Sequence, residues 1–372
     1  MRLLAFSDLH LHPYKTFADF RSGDNSRRVE ILKRLDDVIT KANSGSKDGP
    51  YDCLVFTGDF FHERRKVDVI SMVEARNSLS KLDIPFVACS GTHDVTRSGH
   101  SSLTAFEELK EVMEEQNPAF SVDRSVQIWD ENMIAWTFLC IPDPLDHYQH
   151  QKKVEEALAL CQSADNLILV THGNVLGDEY GMQEWMDGGL DPAFLRDKFL
   201  FSIVGHYHIP FYSDRVLVPG AVIPHGFGDE CGGGNMWDVK LEMQNNGACD
   251  ATVTTLSFPS PAFVSLYGNE WDSGLSKDNY YRIYTSNRDV RIPAGVKHIL
   301  IFEEEAVERV RARADIQIAD SKESLVNKFI EVAHSSIFKV SKAQLEAIGR
   351  ILVGGEDKVP SEDELKEIEK VF

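Results

Sequence analysis

Short apolar runs that alternate with amphipathic segments most constrain the fold of this chain. Over the first 225 residues these runs are typical of strands, and segments with a helical period, such as 26–42 and 67–82, separate the early ones. Strands that alternate with helices are typical of a layered α/β domain. The strand candidates read LLAF, CLVF, PFVACS, SVQIW, MIAWTFLC, NLILVT, LFSIVG and RVLVPG.

The sequence changes character after residue 226, where the glycine-rich stretch GFGDECGGGN precedes alternating β-rich segments. We therefore predict a main domain over 1–249 and a small β-rich capping domain over 250–312. Residues 313–372 are predicted to form a linker and helices, which open with the capping-box patterns DSKE, SKAQ and SEDE. Each helix carries an apolar stripe that either packs onto the main body or docks a partner.

Composition limits the partners and the compartment. The net charge of −20 argues against a general nucleic-acid coat or a binder of anionic membranes, although it is compatible with a local basic groove or a metal site. The six cysteines show no C-x-x-C spacing, and no apolar run has the length of a signal peptide core or a membrane span. These observations predict a cytoplasmic protein with reduced thiols, in the host cytoplasm if a phage encodes it.

Five turns that directly follow strand candidates contain histidine or aspartate. Loops at the carboxyl ends of strands build the sites of layered α/β proteins, so we expect these turns to converge. In the D-x-H and H-x-H patterns, residues two apart on an extended segment point the same way and can reach one ion. The turns are SDLH (Asp8, His10), GDFFH (Asp59, His62), GTHD (His93, Asp94), THG (His172) and GHYH (His206, His208).

The mixture of carboxylates and imidazoles in these turns indicates the type of metal. It suits Mn²⁺, Fe²⁺ or Zn²⁺ better than Ca²⁺ or Mg²⁺, which prefer oxygen alone. One ion would leave several ligands unused, whereas two ions that share a bridging carboxylate would use them all. Two neighbouring ions with open positions activate water and stabilise both the attacking and the leaving oxygen of a phosphate ester. The sequence therefore predicts hydrolysis of a phosphate ester.

These motifs resemble those of the calcineurin-like metallophosphoesterase superfamily, whose pattern is D-x-H, G-D, G-N-H-D, H and G-H-x-H. Within it, the chain is similar to nuclease subunits of the SbcD or Mre type in its start MRLLAFSDLHL, its motif GDFFH and its stretch VPGAVIPHGFGDE. The resemblance implies a four-layer αββα sandwich with a small β-rich capping domain and C-terminal helices. In the family those helices bind an SMC-like ABC ATPase of the SbcC type, which favours partner docking for residues 313–372.

The resemblance also implies a role for each site residue. His93 would protonate the leaving oxygen or stabilise the transition state, with Asp94 orienting its ring. His62 would contact the phosphate or position DNA. One ion would be held by Asp8, His10, Asp59 and His208, and the second by the bridging Asp59 together with His172 and His206.

The chain departs from the family pattern at Thr92, where the family has asparagine as a ligand of the second ion. A hydroxyl is shorter and a weaker neutral donor than an amide carbonyl. Three alternatives stay open, in which Thr92 binds the ion directly, binds it through water, or only shapes the turn.

A basic cluster, Arg64, Arg65 and Lys66, follows the second motif closely. Such a cluster suits contacts with DNA phosphates, since much of the affinity of proteins for DNA comes from lysine and arginine. The alternative is a solvated surface turn, and the sequence favours neither.

Three hypotheses of function follow. The resemblance implies a DNA nuclease with two Mn²⁺, or alternatively Mg²⁺, that acts as a 3′ to 5′ exonuclease on duplex ends and as an endonuclease on single strands. It would work with the ATPase in DNA end processing, recombination and double-strand-break repair, and it would form a homodimer away from membranes. The alternative is a phosphomonoesterase or phosphodiesterase of small substrates, which has no evident need of the C-terminal helices. A non-catalytic scaffold is favoured only by Thr92.

Overall fold

The structure, a computed structural model, describes residues 1–20, 23–64, 66–106, 120–161, 166–177, 188–229, 234–245, 247–267 and 274–302. The chain divides into two compact units, of which one comprises Met1–Val264 and Asp278–Tyr280, and the other Ser265–Lys277 and Tyr281–Phe372. Arg65 and the region predicted to form C-terminal helices, 313–372, lie outside the described residues.

The helices and strands follow the order that the apolar runs predict. Helices of the described residues are α1 (Ser26–Ser44), α2 (Val69–Leu79), α3 (His150–Leu160) and α4 (Pro192–Lys198). Strands are β1 (Arg2–Phe6), β2 (Cys53–Thr57), β3 (Phe86–Cys89), β4 (Phe120–Val122), β5 (Val126–Trp129), β6 (Ala135–Ile141), β7 (Leu167–His172), β8 (Phe201–Gly205), β9 (Phe211–Ser213), β10 (Val216–Val218), β11 (Asn235–Met243), β12 (Cys249–Ser257), β13 (Phe263–Tyr267), β14 (Tyr280–Thr285) and β15 (Lys297–Phe302).

Two six-stranded sheets form the first unit, in the orders β12-β11-β1-β2-β3-β4 and β5-β6-β7-β8-β10-β9. Strands β1 to β4 are parallel to one another, and so are β6, β7, β8 and β10. Strands β11, β5 and β9 pair antiparallel with β1, β6 and β10. Because the carboxyl ends of parallel strands meet at one edge of a sheet, the turns after β1, β2 and β3 lie side by side. The turns after β7 and β8 do the same in the second sheet.

Three apolar cores show how the sheets and helices are layered. Successive residues of β1 enter different cores, because side chains of a strand alternate between its faces: Leu3 lies in the core between the sheets, and Leu4 in the core under α1 and α2. A third core joins the outer face of the second sheet to α3 and α4, through Val154 and Leu195. The predicted four-layer αββα sandwich is therefore confirmed.

Helix α1 illustrates why the sequence folds locally as it does. Its N-cap is Asn25, whose side chain accepts a hydrogen bond from the backbone N–H of Arg28, and its apolar face is buried through Ile31, Leu35 and Val38. The prediction over 26–42 thus has the correct start, and the helix continues two residues further, to Ser44.

Strands β13, β14 and β15 form a separate three-stranded sheet. Strand β12, which we expected at the start of the capping domain, instead pairs along its whole length with β11 in the first sheet. The boundaries 250–312 and 313–372 stay predictions. Among the described residues, no helix combines the length and the apolar character needed to cross a membrane.

Candidate metal centre

The five strand-end turns converge on one cluster of potential ligands. Three overlapping groups have ligand atoms within 4.8 Å of one another: Asp8 with His10 and His208, Asp8 with Asp59 and His172, and His10 with His62 and His93.

Glycines next to the ligands permit this close approach. A Cβ on Gly58, whose φ is +95°, would lie 2.5 Å from Nδ1 of His172, and a Cβ on Gly91 would lie 2.3 Å from Oδ1 of Asp59. Asp8 and Asp59 themselves adopt positive φ angles of 51° and 59°. Strained backbone of this kind is concentrated at functional sites, where the surrounding structure enforces it.

The first half-site consists of Asp8, His10 and His208. The Nε2 atoms of His10 and His208 lie 3.1 Å apart, and they lie 3.8 and 3.9 Å from Oδ1 of Asp8. Oδ1 of Asp8 is buried and has no hydrogen-bond partner among the described residues. Three potential ligand atoms thus lie close together, which is the arrangement that a cation would satisfy.

The second half-site consists of Asp59 and His172. Oδ2 of Asp59 lies 3.4 Å from Nε2 of His172 and 3.7 Å from Nε2 of His10, so it stands between the half-sites as a bridging ligand would. Nδ1 of His172 donates to the carbonyl oxygen of Thr57 at 2.7 Å. In the neutral ring this bond fixes the tautomer and leaves the lone pair on Nε2, a buried atom for which the described chain offers no hydrogen-bond partner.

His206 joins the second half-site less directly. Its ring centroid lies 5.3 Å from that of His172, and its backbone N–H donates to Oδ2 of Asp8 at 3.2 Å. Among the described residues, no group of three ligand atoms within 4.8 Å of one another includes His206. Its burial lowers its pKa to about 3, so the ring is neutral and has a lone pair for a metal.

The chemistry of the donor set fits two divalent ions. The site combines carboxylate and imidazole ligands, and Asp59 faces both half-sites. Two of the ligand atoms, Oδ1 of Asp8 and Nε2 of His172, are buried and lack hydrogen-bond partners in the described ranges. These residues are the ones that would hold the ions.

Neighbouring carboxylates stabilise the protonated forms of two of these histidines in the ion-free protein. Burial opposes the charged form of His172, but Asp59 and Asp8 outweigh it and raise its pKa to about 10. Burial also opposes charge on His208, and there Asp229 and Asp8 raise the pKa to about 9. Metal ligands must be deprotonated, so binding of divalent ions displaces these protons.

Asp229 is a site residue to which the sequence assigned no role. Its Oδ1 lies 2.8 Å from Nδ1 of His208, and its Oδ2 accepts from the backbone N–H groups of His225 and Gly226. A carboxylate behind a metal-binding histidine orients the ring and increases its basicity. The stretch GFGDE was the available signal, although it did not indicate the partner. His225 also lies beside this site, with its Nε2 3.0 Å from the carbonyl oxygen of Asp8.

His62 and His93 stack beside the first half-site, with ring centroids 5.1 Å apart. Nδ1 of His93 donates to the carbonyl oxygen of His62, and its Nε2 lies 4.0 Å from Oδ2 of Asp59. Nδ1 of His62 lies 3.4 Å from Nδ1 of His10. His62 therefore supports the rings of both His10 and His93.

Asp94 differs from the prediction that it orients the ring of His93. Its buried carboxylate accepts instead from the backbone N–H groups of Gly91, Phe60 and Phe61, at 3.0 to 3.1 Å. The Nδ1–H of His93 is bound instead to the carbonyl oxygen of His62. Asp94 thus joins the turn after β3 to the turn after β2.

The Thr92 hydroxyl donates to Oδ2 of Asp143 at 2.8 Å. Asp143 belongs to the turn after β6 and is 4 % exposed. The sequence did not indicate this residue, because it follows its strand without a histidine motif.

A basic cavity of about 680 Å³ adjoins His93. Two predicted DNA-binding residues, Arg64 and Lys66, line it, and so does Arg97, which the sequence did not single out. Glu63, His93 and Thr96 complete the lining. Positive side chains therefore lie beside the histidine that faces the metal ligands.

Comparisons with known proteins agree with this site. The family described as calcineurin-like phosphoesterase matches residues 1–210, more than half of the chain, and the chain belongs to this family. Its members are phosphoesterases that use divalent metals, which agrees with the carboxylate and imidazole ligands of this site.

One curated relative is the DNA double-strand break repair protein Mre11 of Haloferax volcanii, which is 35 % identical over 85 residues. The match covers 22 % of this chain and 18 % of that protein.

Two solved structures also resemble the chain. A protein of Thermus thermophilus has a TM-score of 0.42 and 12 % identity, over 68 % of this chain and 97 % of that one. A dimetal phosphatase from Danio rerio has a TM-score of 0.40 and 10 % identity, over 70 % of this chain and 99 % of that one.

Proposed function

We propose that this phosphoesterase is a Mn²⁺-dependent DNA nuclease of the SbcD or Mre type. The observation that carries the proposal is the basic cavity beside His93. Arg64, Lys66 and Arg97 line it, and such side chains suit contacts with successive phosphates of DNA. The local identity with the Mre11 protein supports it. A substrate with a single phosphate has no need of so many cations.

His93 has the geometry for proton transfer to a leaving oxygen. Its Nδ1–H is bound to the carbonyl oxygen of His62, so Nε2 is the nitrogen that faces the ligands. With Nδ1 already protonated, donation from Nε2 requires the imidazolium form, and the ring becomes neutral after it. When bound, the two ions activate the attacking water and stabilise negative charge on the phosphate. Water adds to phosphorus and loses a proton to the solvent, the phosphorus–oxygen bond of the leaving group breaks, and Nε2 of His93 supplies the proton that the leaving oxygen takes up.

The proposal includes two protein partners. An SMC-like ABC ATPase would bind the apolar stripes of residues 313–372, as their sequence favours. A second copy of the chain would cover an apolar patch on α1 and α2, where Val29, Val69, Ile70 and Val73 are 46–74 % exposed.

A second candidate is hydrolysis of a small phosphodiester or phosphomonoester. The net charge of −20 favours it, because the protein as a whole repels a polyanion.

Parallel assays of two substrates separate the candidates. The purified full chain is incubated with end-labelled duplex DNA or bis(p-nitrophenyl) phosphate, with Mn²⁺ or Mg²⁺, and with or without a co-expressed ATPase. We expect cleavage of DNA with Mn²⁺, and its loss in Asp59→Asn. A variant with Lys66→Ala and Arg97→Ala should lose DNA cleavage and keep hydrolysis of the small diester. Fast hydrolysis of the small diester with no cleavage of DNA in any combination would overturn the proposal.

A further inference from the structure

The two half-sites differ in the number of described ligands that converge on them. Asp8, His10 and His208 surround the first half-site, with Asp59 beside them. The second has Asp59 and His172 in close contact, with His206 further away. An oxygen donor beside the second half-site would balance the set, and the turn after β6 provides a candidate.

Asp143 is a buried carboxylate whose described hydrogen-bond donors are all neutral. Its side chain accepts two hydrogen bonds, from the Thr92 hydroxyl at 2.8 Å and from the backbone N–H of Leu145 at 2.6 Å. Within the described part of the chain, no ion pair involves Asp143. Burial of a carboxylate is costly unless a cation or a full set of hydrogen bonds compensates its charge. A divalent ion in the second half-site would be a cation that compensates the charge of Asp143.

Both ends of the turn after β6 lie beside the second half-site. Near its start, the backbone N–H of Asp143 donates to the carbonyl oxygen of Ser90 at 2.9 Å, which ties it to the turn that carries Thr92. Near its end, the ring of His147 lies 5.6 Å, between centroids, from that of His206. The turn is therefore held against the GTHD motif at one end and against the second-ion histidine at the other.

We infer that Asp143 is the additional carboxylate of the second ion and that Thr92 acts through it, by holding Asp143 in place with its hydroxyl. Asp143 binds the ion directly or through one of its water ligands, and Thr92 is a positioning residue. A negatively charged oxygen beside the second ion increases its affinity for a hard divalent cation such as Mn²⁺. This inference rests on the two-ion site of the proposed function and does not depend on the identity of the phosphate ester.

The test is a Mn²⁺ titration of the ion-free full-length protein by calorimetry and by electron paramagnetic resonance. We expect two ions in the wild type, with the spectrum of a magnetically coupled pair. Asp143→Asn should lower the affinity for one Mn²⁺ by roughly 10- to 100-fold and leave the affinity for the other unchanged. The spectrum of isolated Mn²⁺ should then replace that of the coupled pair. Asp146→Asn is the matched control, because it changes an exposed aspartate of the same turn and asparagine also caps a helix.

Thr92 supplies a second test that leaves the buried carboxylate in place. Thr92→Val removes the hydroxyl and should weaken the same ion, whereas Thr92→Ser keeps the hydroxyl and should bind like the wild type. Two ions of unchanged affinity in Asp143→Asn would overturn the inference and leave the nuclease proposal intact. If Asp143→Asn does not fold, equal binding by Thr92→Val and Thr92→Ser would overturn it in the same way. A wild type that binds only one ion would overturn both proposals.

Discussion

The contact between Asp229 and His208 allows a quantitative test of the metal centre. In Asp229→Asn the charge is lost, and one amide oxygen cannot serve both Nδ1 of His208 and the backbone N–H groups of His225 and Gly226. Carboxylates behind metal-binding histidines typically contribute roughly 10- to 100-fold to metal affinity. That factor corresponds to about 1.4 to 2.7 kcal/mol at the first half-site.

An opposing effect acts on the same histidine. Asp229 helps to raise the pKa of His208 to about 9 against the effect of burial, so at neutral pH the ion has to displace a proton. With a pKa two units above the pH, this competition lowers the apparent affinity by about 100-fold. Replacement of Asp229 lowers the pKa of His208 and weakens the competition, because only Asp8 and Asp59 then oppose the effect of burial. The two effects partly cancel at pH 7, and the loss of affinity emerges as the pH rises towards 9.

Proton release separates the two effects. Calorimetry with Mn²⁺ at about pH 7, in buffers of different ionisation enthalpy, should show about two protons released by the wild type, one from His208 and one from His172. Asp229→Asn should release fewer, because the pKa of His208 is lower without Asp229. Asp197→Asn, which changes an exposed carboxylate paired with its neighbour Lys198, serves as the control. Equal proton release by the wild type and Asp229→Asn would refute the coupling between Asp229 and His208.

Four further substitutions test other parts of the molecule. His93→Ala should keep two bound Mn²⁺ and lose cleavage by roughly 10²- to 10⁴-fold, and parallel loss of both would show a structural role. Arg97→Ala should lower the slope of log DNA affinity against log salt by about one, and an unchanged slope would place the DNA elsewhere. Asp94→Ala leaves three buried backbone N–H groups without an acceptor and should lower the free energy of unfolding by roughly 2–4 kcal/mol in urea titrations of the ion-free protein; a loss within error would contradict this role. Ile70→Asp should produce monomers in analytical ultracentrifugation if the apolar patch joins two copies, and an intact dimer would exclude that interface.

Much of the metal centre could be predicted from the sequence because its signals are local. A D-x-H or H-x-H pattern after an apolar run fixes both the ligand types and the strand end at which they lie. The structure brings Asp8, His10, Asp59, His172 and His208 together as those patterns indicate. Helix α1 was predicted well for the same reason, since its cap and its apolar face are encoded in adjacent turns of one helix.

Other features depend on contacts between segments far apart in the chain, and no local pattern encodes them. Asp143 reaches Thr92 across 51 residues, and Asp229 reaches His208 across 21. The direction of the Asp94 carboxylate depends on the N–H groups of another turn, over 30 residues away. In the same way, β12 has the alternation of any strand, and only its pairing with β11 assigns it to the first sheet. The sequence by itself determined the residue types and the strand ends of the site, because these follow from local periodicity. The tertiary structure decided which carboxylate stands behind each histidine and beside each ion, because hydrogen-bond partners are selected by proximity in the folded chain.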